Sequence, residues 1–164
     1  MKKYILFFCF ALLLFQSPAS AQFDSFSLRN LDGDLIDSSE YIGKGPVLLD
    51  FWATWCKPCL KNLPKLQKLY DDFSEKGLVI LAVNEDGTRS LSKVEPLANS
   101  LGLTFPVLID EDRDVMRKYQ VSGLPTSILI DKNENIVLTL RGYRPGDEKQ
   151  LRQHLDLLFE GEGE

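Results

Sequence analysis

Two short, almost uninterrupted apolar runs constrain the fold of this chain more than any other feature. Residues 47–51 and 78–83 each predict a β-strand buried on both faces, because a strand with one solvent-exposed face would alternate apolar and polar residues. Between them, apolar residues three or four positions apart predict an amphipathic helix that ends at Gly77. They are Cys59, Leu63, Leu66, Tyr70 and Phe73. This strand–helix–strand order is typical of a parallel sheet.

The rest of the chain continues the alternation and ends in a hairpin. Residues 22–31 predict an extended segment, and the polar residues 131–135 predict the hairpin turn. Further strands are predicted at residues 105–109, 127–130 and 136–140, and further helices at residues 90–101, 114–119 and 147–159. We therefore expect an α/β fold with a central mixed, mostly parallel sheet, an antiparallel edge and helices on both faces.

The N-terminus has the pattern of a secretory signal peptide. Lys2 and Lys3 precede 12 apolar residues (4–15), and residues 17–21 are small and end in an Ala-x-Ala site. A membrane anchor is the alternative, but a helix that crosses a bilayer needs roughly 20 apolar residues. We expect cleavage after Ala21 and export, with the domain tethered to the membrane if cleavage fails. The predicted organisation is a signal peptide (1–21), one folded domain (22–159) and a disordered acidic tail (160–164).

Cleavage would leave an acidic domain with only two cysteines, Cys56 and Cys59. Without Lys2 and Lys3 the chain has 17 basic and 24 acidic residues, a formal net charge of −7. No basic cluster remains to bind nucleic acid or an anionic membrane surface. A domain of this size can bury a core without crosslinks. A single close cysteine pair therefore calls for an explanation other than stability.

Three interpretations compete for this pair. A structural zinc site needs four N or S ligands, and His154 is the only histidine in the chain. A structural disulfide across so short a loop would remove little entropy from the unfolded chain. The spacing therefore favours a redox switch, with no metal and no cofactor other than the Cys56–Cys59 disulfide.

The position of the pair indicates which cysteine attacks. It follows the buried strand at residues 47–51, so Cys56 falls at the N-terminus of the next helix, where free N–H groups and the helix dipole favour a thiolate. Lys57 adds a nearby positive charge, and Pro58 is tolerated because first-turn N–H groups have no helical partner. Cys59 lies one turn inside on the packed face. We predict that Cys56 is the nucleophile and Cys59 the resolving thiol.

Two motifs resemble the signatures of the thioredoxin superfamily. FWATWCKPC (51–59) is similar to the active-site signature, and VSGLPT (121–126) is similar to the second signature, which carries a cis proline. A helix and strand inserted at residues 84–104, with the signal peptide, resemble the TlpA/ResA-type extracytoplasmic thiol–disulfide oxidoreductases. The resemblance covers residues 23–158 and implies a thioredoxin-like three-layer fold.

The resemblance also implies a substrate groove. It places a cis Leu124–Pro125 peptide beside the disulfide, where nearby backbone would pair with an extended segment of the partner. Trp55, Lys57 and Pro58 would line this groove with Leu124 and Pro125. For Trp55 the alternative is a core position.

Proton transfer is where the sequence departs from the ResA-type pattern. That branch carries a glutamate three residues after the second cysteine, and here the position is Asn62, which cannot titrate. Thioredoxin carries an aspartate six residues before the first cysteine, and here that residue is Asp50. A buried carboxyl without a cation has a raised pKa, so Asp50 is predicted to exchange protons with Cys59. The alternative is an aspartate hydrogen-bonded for structure at a strand end.

The family resemblance implies that the chain reduces disulfides in exported cysteine-containing proteins, with electrons from a membrane thiol carrier. By resemblance, apocytochrome c is one candidate substrate. Alternatives are a disulfide oxidant or isomerase, and a binding module with an inactive disulfide. A peroxidase is disfavoured because no Pro-x-x-x-Thr-x-x-Cys stretch precedes the pair.

Two polar segments have mainly structural interpretations. Glu85, Asp86 and Gly87 follow a predicted strand at the edge of the sheet where ligands bind in α/β proteins, but we expect a solvated turn. Residues 141–145 contain Arg141 and Arg144 and predict either a bend or a partner contact.

Overall fold

The computed structural model describes residues 23–161. The predicted signal peptide and its cleavage site lie outside the described residues, as do the last three residues of the predicted tail. Within residues 23–161, no helix is long and apolar enough to cross a membrane.

Within the described residues, seven strands form one sheet in the order β2-β1-β5-β4-β3-β6-β7. The strands are β1 (Ser27–Asn30), β2 (Leu35–Asp37), β3 (Val47–Trp52), β4 (Val79–Asn84), β5 (Val107–Ile109), β6 (Thr126–Ile130) and β7 (Ile136–Arg141). The helices are α1 (Lys57–Phe73), α2 (Val94–Ser100), α3 (Asp114–Lys118) and α4 (Asp147–Glu160). The α/β class is confirmed. The helix expected in the insertion at residues 84–104 is α2, whereas the strand that follows it, β5, begins only at Val107, after the predicted insertion.

The expectation of a mostly parallel sheet is wrong. Only β3–β4 and β4–β5 are parallel among the described strands, and the other four pairings are antiparallel. The cause is a second hairpin: residues 32–34 reverse the N-terminal segment, so that β1 pairs with β2 and then lies antiparallel against β5. Parallel pairs need a long crossover, and only the two connections that contain α1 and α2 provide one between neighbouring strands.

Strand β3 lies at the centre of this sheet and is fully buried along its length. Alternate side chains point to opposite faces, as the two-residue period of a strand requires. Leu48 and Trp52 join the core under α1, α2 and α4. Val47, Leu49 and Phe51 join the second core, which includes Val115 of α3. Helices therefore cover both faces, as predicted, and Asp50 lies on the face covered by α1.

Candidate active site

The cysteine pair lies where β3 leads into α1. Cys56 is the N-cap residue of α1, with an extended backbone conformation, and its Sγ accepts a hydrogen bond from the Cys59 N–H at 3.3 Å. Pro58 occupies the first turn, where its missing N–H leaves no helical hydrogen bond unmade. A disulfide joins Cys56 and Cys59. The predicted helix N-terminus is confirmed, and one of its free N–H groups, that of Cys59, donates to the Cys56 sulfur.

The two sulfurs differ in access to solvent. Cys56 retains 5% of its surface and Cys59 none. Trp55 is 60% exposed, so the core position considered for it is wrong, and Lys57 and Pro58 are exposed beside it. An approaching partner therefore meets Cys56 before Cys59.

The proline loop lies next to the cysteine loop through the sheet register. Phe51 of β3 pairs with Thr126 of β6, which places Pro125 level with Trp52 on the neighbouring strand. The Leu124–Pro125 peptide is cis, as predicted. Leu124 is half-buried and packs against the core that contains both cysteines, whereas Pro125 is buried. The proline loop and the cysteine loop therefore lie at the same end of the sheet, with Leu124 packed against the core that contains both cysteines.

Asp50 is fully buried on β3, directly opposite Ser127 on the neighbouring strand β6. Its Oδ1 accepts hydrogen bonds from Ser127 Oγ at 2.6 Å and from Asn62 Nδ2 at 3.2 Å. Its Oδ2 has no hydrogen-bond partner among the described residues. Burial raises the pKa of Asp50 to about 7, against the smaller lowering effect of these two hydrogen bonds. The expected rise in pKa is confirmed.

Asn62 connects this carboxyl to the cysteine helix. It lies three residues after Cys59 on the buried face of α1, and residues at this spacing are neighbours on a helix surface. Its amide donates to Asp50, so the position that carries a glutamate in the ResA-type pattern here supplies a neutral hydrogen-bond donor. Sequence reasoning treated Asn62 only as the loss of a titratable group and missed this contact.

The expected solvated turn at residues 85–87 is wrong. Glu85 and Asp86 are fully buried and Gly87 is half-buried. These residues follow the central strand β4, and the Glu85 N–H donates to the Trp52 carbonyl at 2.8 Å, which extends the β3–β4 pairing beyond the strands. They are therefore enclosed between the ends of neighbouring strands and the loop before Cys56.

Glu85 is a buried acid in an unfavourable environment. Neither carboxyl oxygen accepts a hydrogen bond among residues 23–161, and the carboxyl lies beside Asp110, to which it can donate only when it is protonated. Burial raises the pKa of Glu85 to about 8, and the nearby Asp110 carboxylate adds to this rise. Arg113 and Arg117 act in the opposite direction with a smaller effect. Glu85 is therefore protonated over most of the neutral pH range.

The segment after β7 is a bend that contacts the proline loop. The Gly142 N–H donates to the Pro125 carbonyl at 2.8 Å. The Arg144 N–H donates to Asp147 Oδ2 at 2.7 Å, at the start of α4. The predicted bend is confirmed, and Arg141 and Arg144 are exposed beside the proline loop.

Comparison with known proteins agrees with this geometry. The AhpC/TSA family matches residues 19–139. The chain is 41% identical over 131 residues to the thiol-disulfide oxidoreductase ResA of Geobacillus thermodenitrificans, an alignment that covers 80% of this chain and 72% of that protein. It is 37% identical over 138 residues to ResA of Bacillus subtilis, covering 84% and 74%. A crystal structure from Chlorobium tepidum, assigned as the thiol:disulfide interchange protein DsbE, superposes with a TM-score of 0.78 at 31% identity, covering 85% of this chain and 96% of that one.

The raised pKa of Glu85 predicts a pH-dependent cost to stability. The folded chain binds this proton more tightly than the unfolded chain, so its contribution to stability falls as pH rises between 4.5 and about 8. Because each pKa unit corresponds to about 1.4 kcal/mol, we expect Glu85→Gln to gain up to about 4 kcal/mol in unfolding free energy relative to the wild type between about pH 5 and about pH 9. Urea unfolding at the two pH values measures this difference.

Glu95→Gln is the matched control, since Glu95 is an exposed carboxyl on α2. Asp50 is present in all three proteins, so its own pH dependence cancels from the comparison. An equal gain in both variants, or none in Glu85→Gln, would contradict the assignment.

Proposed function

Because this chain belongs to the AhpC/TSA family and is a thiol–disulfide oxidoreductase, we propose that it reduces disulfides of exported proteins through the Cys56–Cys59 couple. The observation that carries the proposal is the unequal placement of the two sulfurs. Cys56 caps a helix beside the exposed Trp55, and Cys59 lies buried one turn behind it. This is the arrangement that a two-step exchange of disulfides requires.

In the first step the Cys56 thiolate attacks one sulfur of the partner disulfide. A Cys56–partner S–S bond forms, the partner S–S bond breaks, and the second partner sulfur leaves as a thiolate. In the next step Cys59 attacks the Cys56 sulfur, the Cys56–Cys59 disulfide forms and the partner leaves reduced by two electrons. A dithiol donor, proposed to be a membrane thiol carrier, then restores the reduced couple by the reverse exchange.

The position of Cys56 at the helix N-terminus favours the first step, whereas the burial of Cys59 opposes the second. The Cys59 N–H donates to the Cys56 sulfur, and together with the helix dipole it favours the Cys56 thiolate. Cys59 has no solvent contact, so its thiol must lose a proton to a group within the protein. We propose that Asp50 accepts this proton through Oδ2, the oxygen without a partner, while Asn62 and Ser127 hold Oδ1.

The groove and the cellular location complete the proposal. Trp55, Lys57, Pro58, Leu124 and Pro125 would contact an extended partner segment beside the disulfide. The signal-peptide pattern and the similarity to ResA and DsbE support an exported, extracytoplasmic protein. Apocytochrome c is one candidate substrate. No metal or cofactor other than the cysteine couple is required, and no nucleic acid partner is proposed.

Unequal roles for the cysteines predict unequal trapping of a partner. We expect reduced Cys59→Ser to accumulate a one-to-one mixed disulfide with a synthetic peptide that contains an internal disulfide, because the resolving thiol is absent. Cys56→Ser should form this adduct at least about tenfold more slowly, because its remaining sulfur is buried. Non-reducing mass spectrometry measures the adduct. Equal trapping by both variants would contradict the assigned roles, and faster trapping by Cys56→Ser would reverse them. No reaction even by the wild type would favour a binding module.

The reduction potential decides the direction of electron flow. A reductant should have a reduction potential close to that of thioredoxin, about −270 mV. A disulfide-forming oxidant has a reduction potential of about −120 mV. We expect the Cys56–Cys59 couple to lie nearer the first value when titrated in dithiothreitol buffers. A potential near the second value would replace reduction with oxidation while leaving the exchange chemistry intact.

The role of Asp50 predicts a change in the pH profile of exchange. With a pKa of about 7, Asp50 is ionised and able to accept a proton above that pH, and protonated below it. We expect Asp50→Asn to slow peptide-disulfide reduction by about tenfold at about pH 8, and to flatten its pH dependence between roughly pH 6 and 9. Stopped-flow rates across this range measure the effect.

Asp71→Asn is the control for this substitution, since it removes an exposed carboxylate from the helix that packs over Asp50. Its pH profile should match that of the wild type. An unchanged profile in Asp50→Asn would leave Asp50 as a structural residue.

A further inference from the structure

Asp86 binds the loop that precedes the nucleophile. Its carboxylate accepts a hydrogen bond from the Thr54 backbone N–H at 2.6 Å through Oδ2, and one from Thr54 Oγ1 at 2.7 Å through Oδ1. Oδ2 also accepts from Asn84 Nδ2 at 3.0 Å. Asp86 itself is fully buried. Both carboxylate oxygens therefore accept hydrogen bonds from the protein, and two of the three donors belong to Thr54 in the neighbouring loop.

Thr54 lies two residues before Cys56 in a loop that leaves the central strand. The Cys56 N–H donates to the Ala53 carbonyl at 3.1 Å, so a turn around Thr54 sets the position of Cys56 at the start of α1. On the other side, Asp86 is held to β4, since its N–H donates to Asn84 Oδ1 at 3.1 Å. The carboxylate thus connects the end of one central strand to the turn that carries the nucleophile.

We infer that Asp86 is a positioning residue, which fixes the Thr54 turn and so keeps the Cys56 sulfur within the N-terminal hydrogen-bonding region of α1. This inference rests on the proposed role of Cys56 as nucleophile. It assigns to Asp86 control of thiolate stability at Cys56 without contact with the partner. A purely structural role would lower the stability of the fold and leave the reactivity of Cys56 unchanged.

The charge of Asp86 is compatible with this role. Burial raises its pKa, but hydrogen bonds from Ser90, Thr54 and Asn84 together outweigh burial and hold the pKa below its ordinary value. The group is therefore an ionised acceptor at neutral pH. Hydrogen bonds to an ionised acceptor are shorter and stronger than neutral ones, as the 2.6 and 2.7 Å distances show.

A comparison of two neutral variants separates position from charge. Asp86→Asn keeps one oxygen that can accept from the Thr54 N–H, and its amide can donate to the Thr54 hydroxyl. Asp86→Ala loses both contacts. Both variants lack the negative charge, so losing its electrostatic effect on Cys56 affects them equally. A difference between their Cys56 pKa values therefore reports the loss of the hydrogen bonds to Thr54.

The experiment measures the pH dependence of Cys56 alkylation by iodoacetamide in the reduced full chain, and the rate of insulin reduction. We expect the Cys56 pKa to be about one unit higher in Asp86→Ala than in Asp86→Asn, and insulin reduction at neutral pH to be up to about tenfold slower. Equal pKa values in the two folded variants would overturn the inference, even if Asp86→Ala unfolds at lower urea concentration.

Substitutions of Thr54 keep the test decisive if Asp86→Ala does not fold. Thr54→Val removes the hydroxyl donor and keeps the backbone N–H, and Thr54→Ser restores the hydroxyl. We expect a rise in the Cys56 pKa in Thr54→Val that Thr54→Ser reverses, and no rise in Thr54→Val would overturn the inference. Failure of the wild type to reduce insulin would instead count against the proposed function, since the alkylation profile does not depend on turnover.

Discussion

Burial of strand β3 between β4 and β6 is the constraint on which the rest of the structure depends. All six of its residues are inaccessible to solvent, and the strand pairs along its length on both sides. Its parallel neighbour ends next to Glu85 and Asp86, and its antiparallel neighbour begins after Pro125. The turn that carries Cys56 is thus enclosed by two loops whose positions the sheet determines. The side chain of a polar residue in this strand has no access to water, so any hydrogen bond that it makes must come from neighbouring protein groups.

Asp50 is that residue, and its environment differs from the one that the ResA-type pattern implies. A glutamate at position 62 would place a second acid next to a buried carboxyl, and two such groups strongly raise each other's affinity for protons. Asn62 instead donates a hydrogen bond to Asp50 and favours its ionised form. Beside the cysteine helix this leaves a single carboxyl, Asp50, paired with a neutral amide, and its pKa lies near 7.

The sequence predicted the parts of this structure that have a strong local signal. The helix at Cys56, the buried central strands and the C-terminal hairpin were indicated by apolar periodicity and by turn residues, and the cis proline by family resemblance. The N-terminal hairpin was missed because β1 and β2 are short and half-exposed, with little apolar pattern. Glu85 and Asp86 were misplaced because acidic residues after a strand usually face solvent, and only tertiary packing encloses them here. The contacts of Asn62 and Asp86 join distant segments, so no local pattern could indicate them.

The distances along the chain that these contacts span have a consequence for how the protein acquires its reactivity. Asp86 binds Thr54 across 32 positions, and Ser127 binds Asp50 across 77. Contacts of such separation exist only where the sheet has brought the distant segments together, because closing each loop has an entropic cost. A partly folded chain therefore contains both cysteines without the surroundings that distinguish them. The difference between the two thiols arises only when the sheet is complete, so the chemistry of the site reports the integrity of the whole fold.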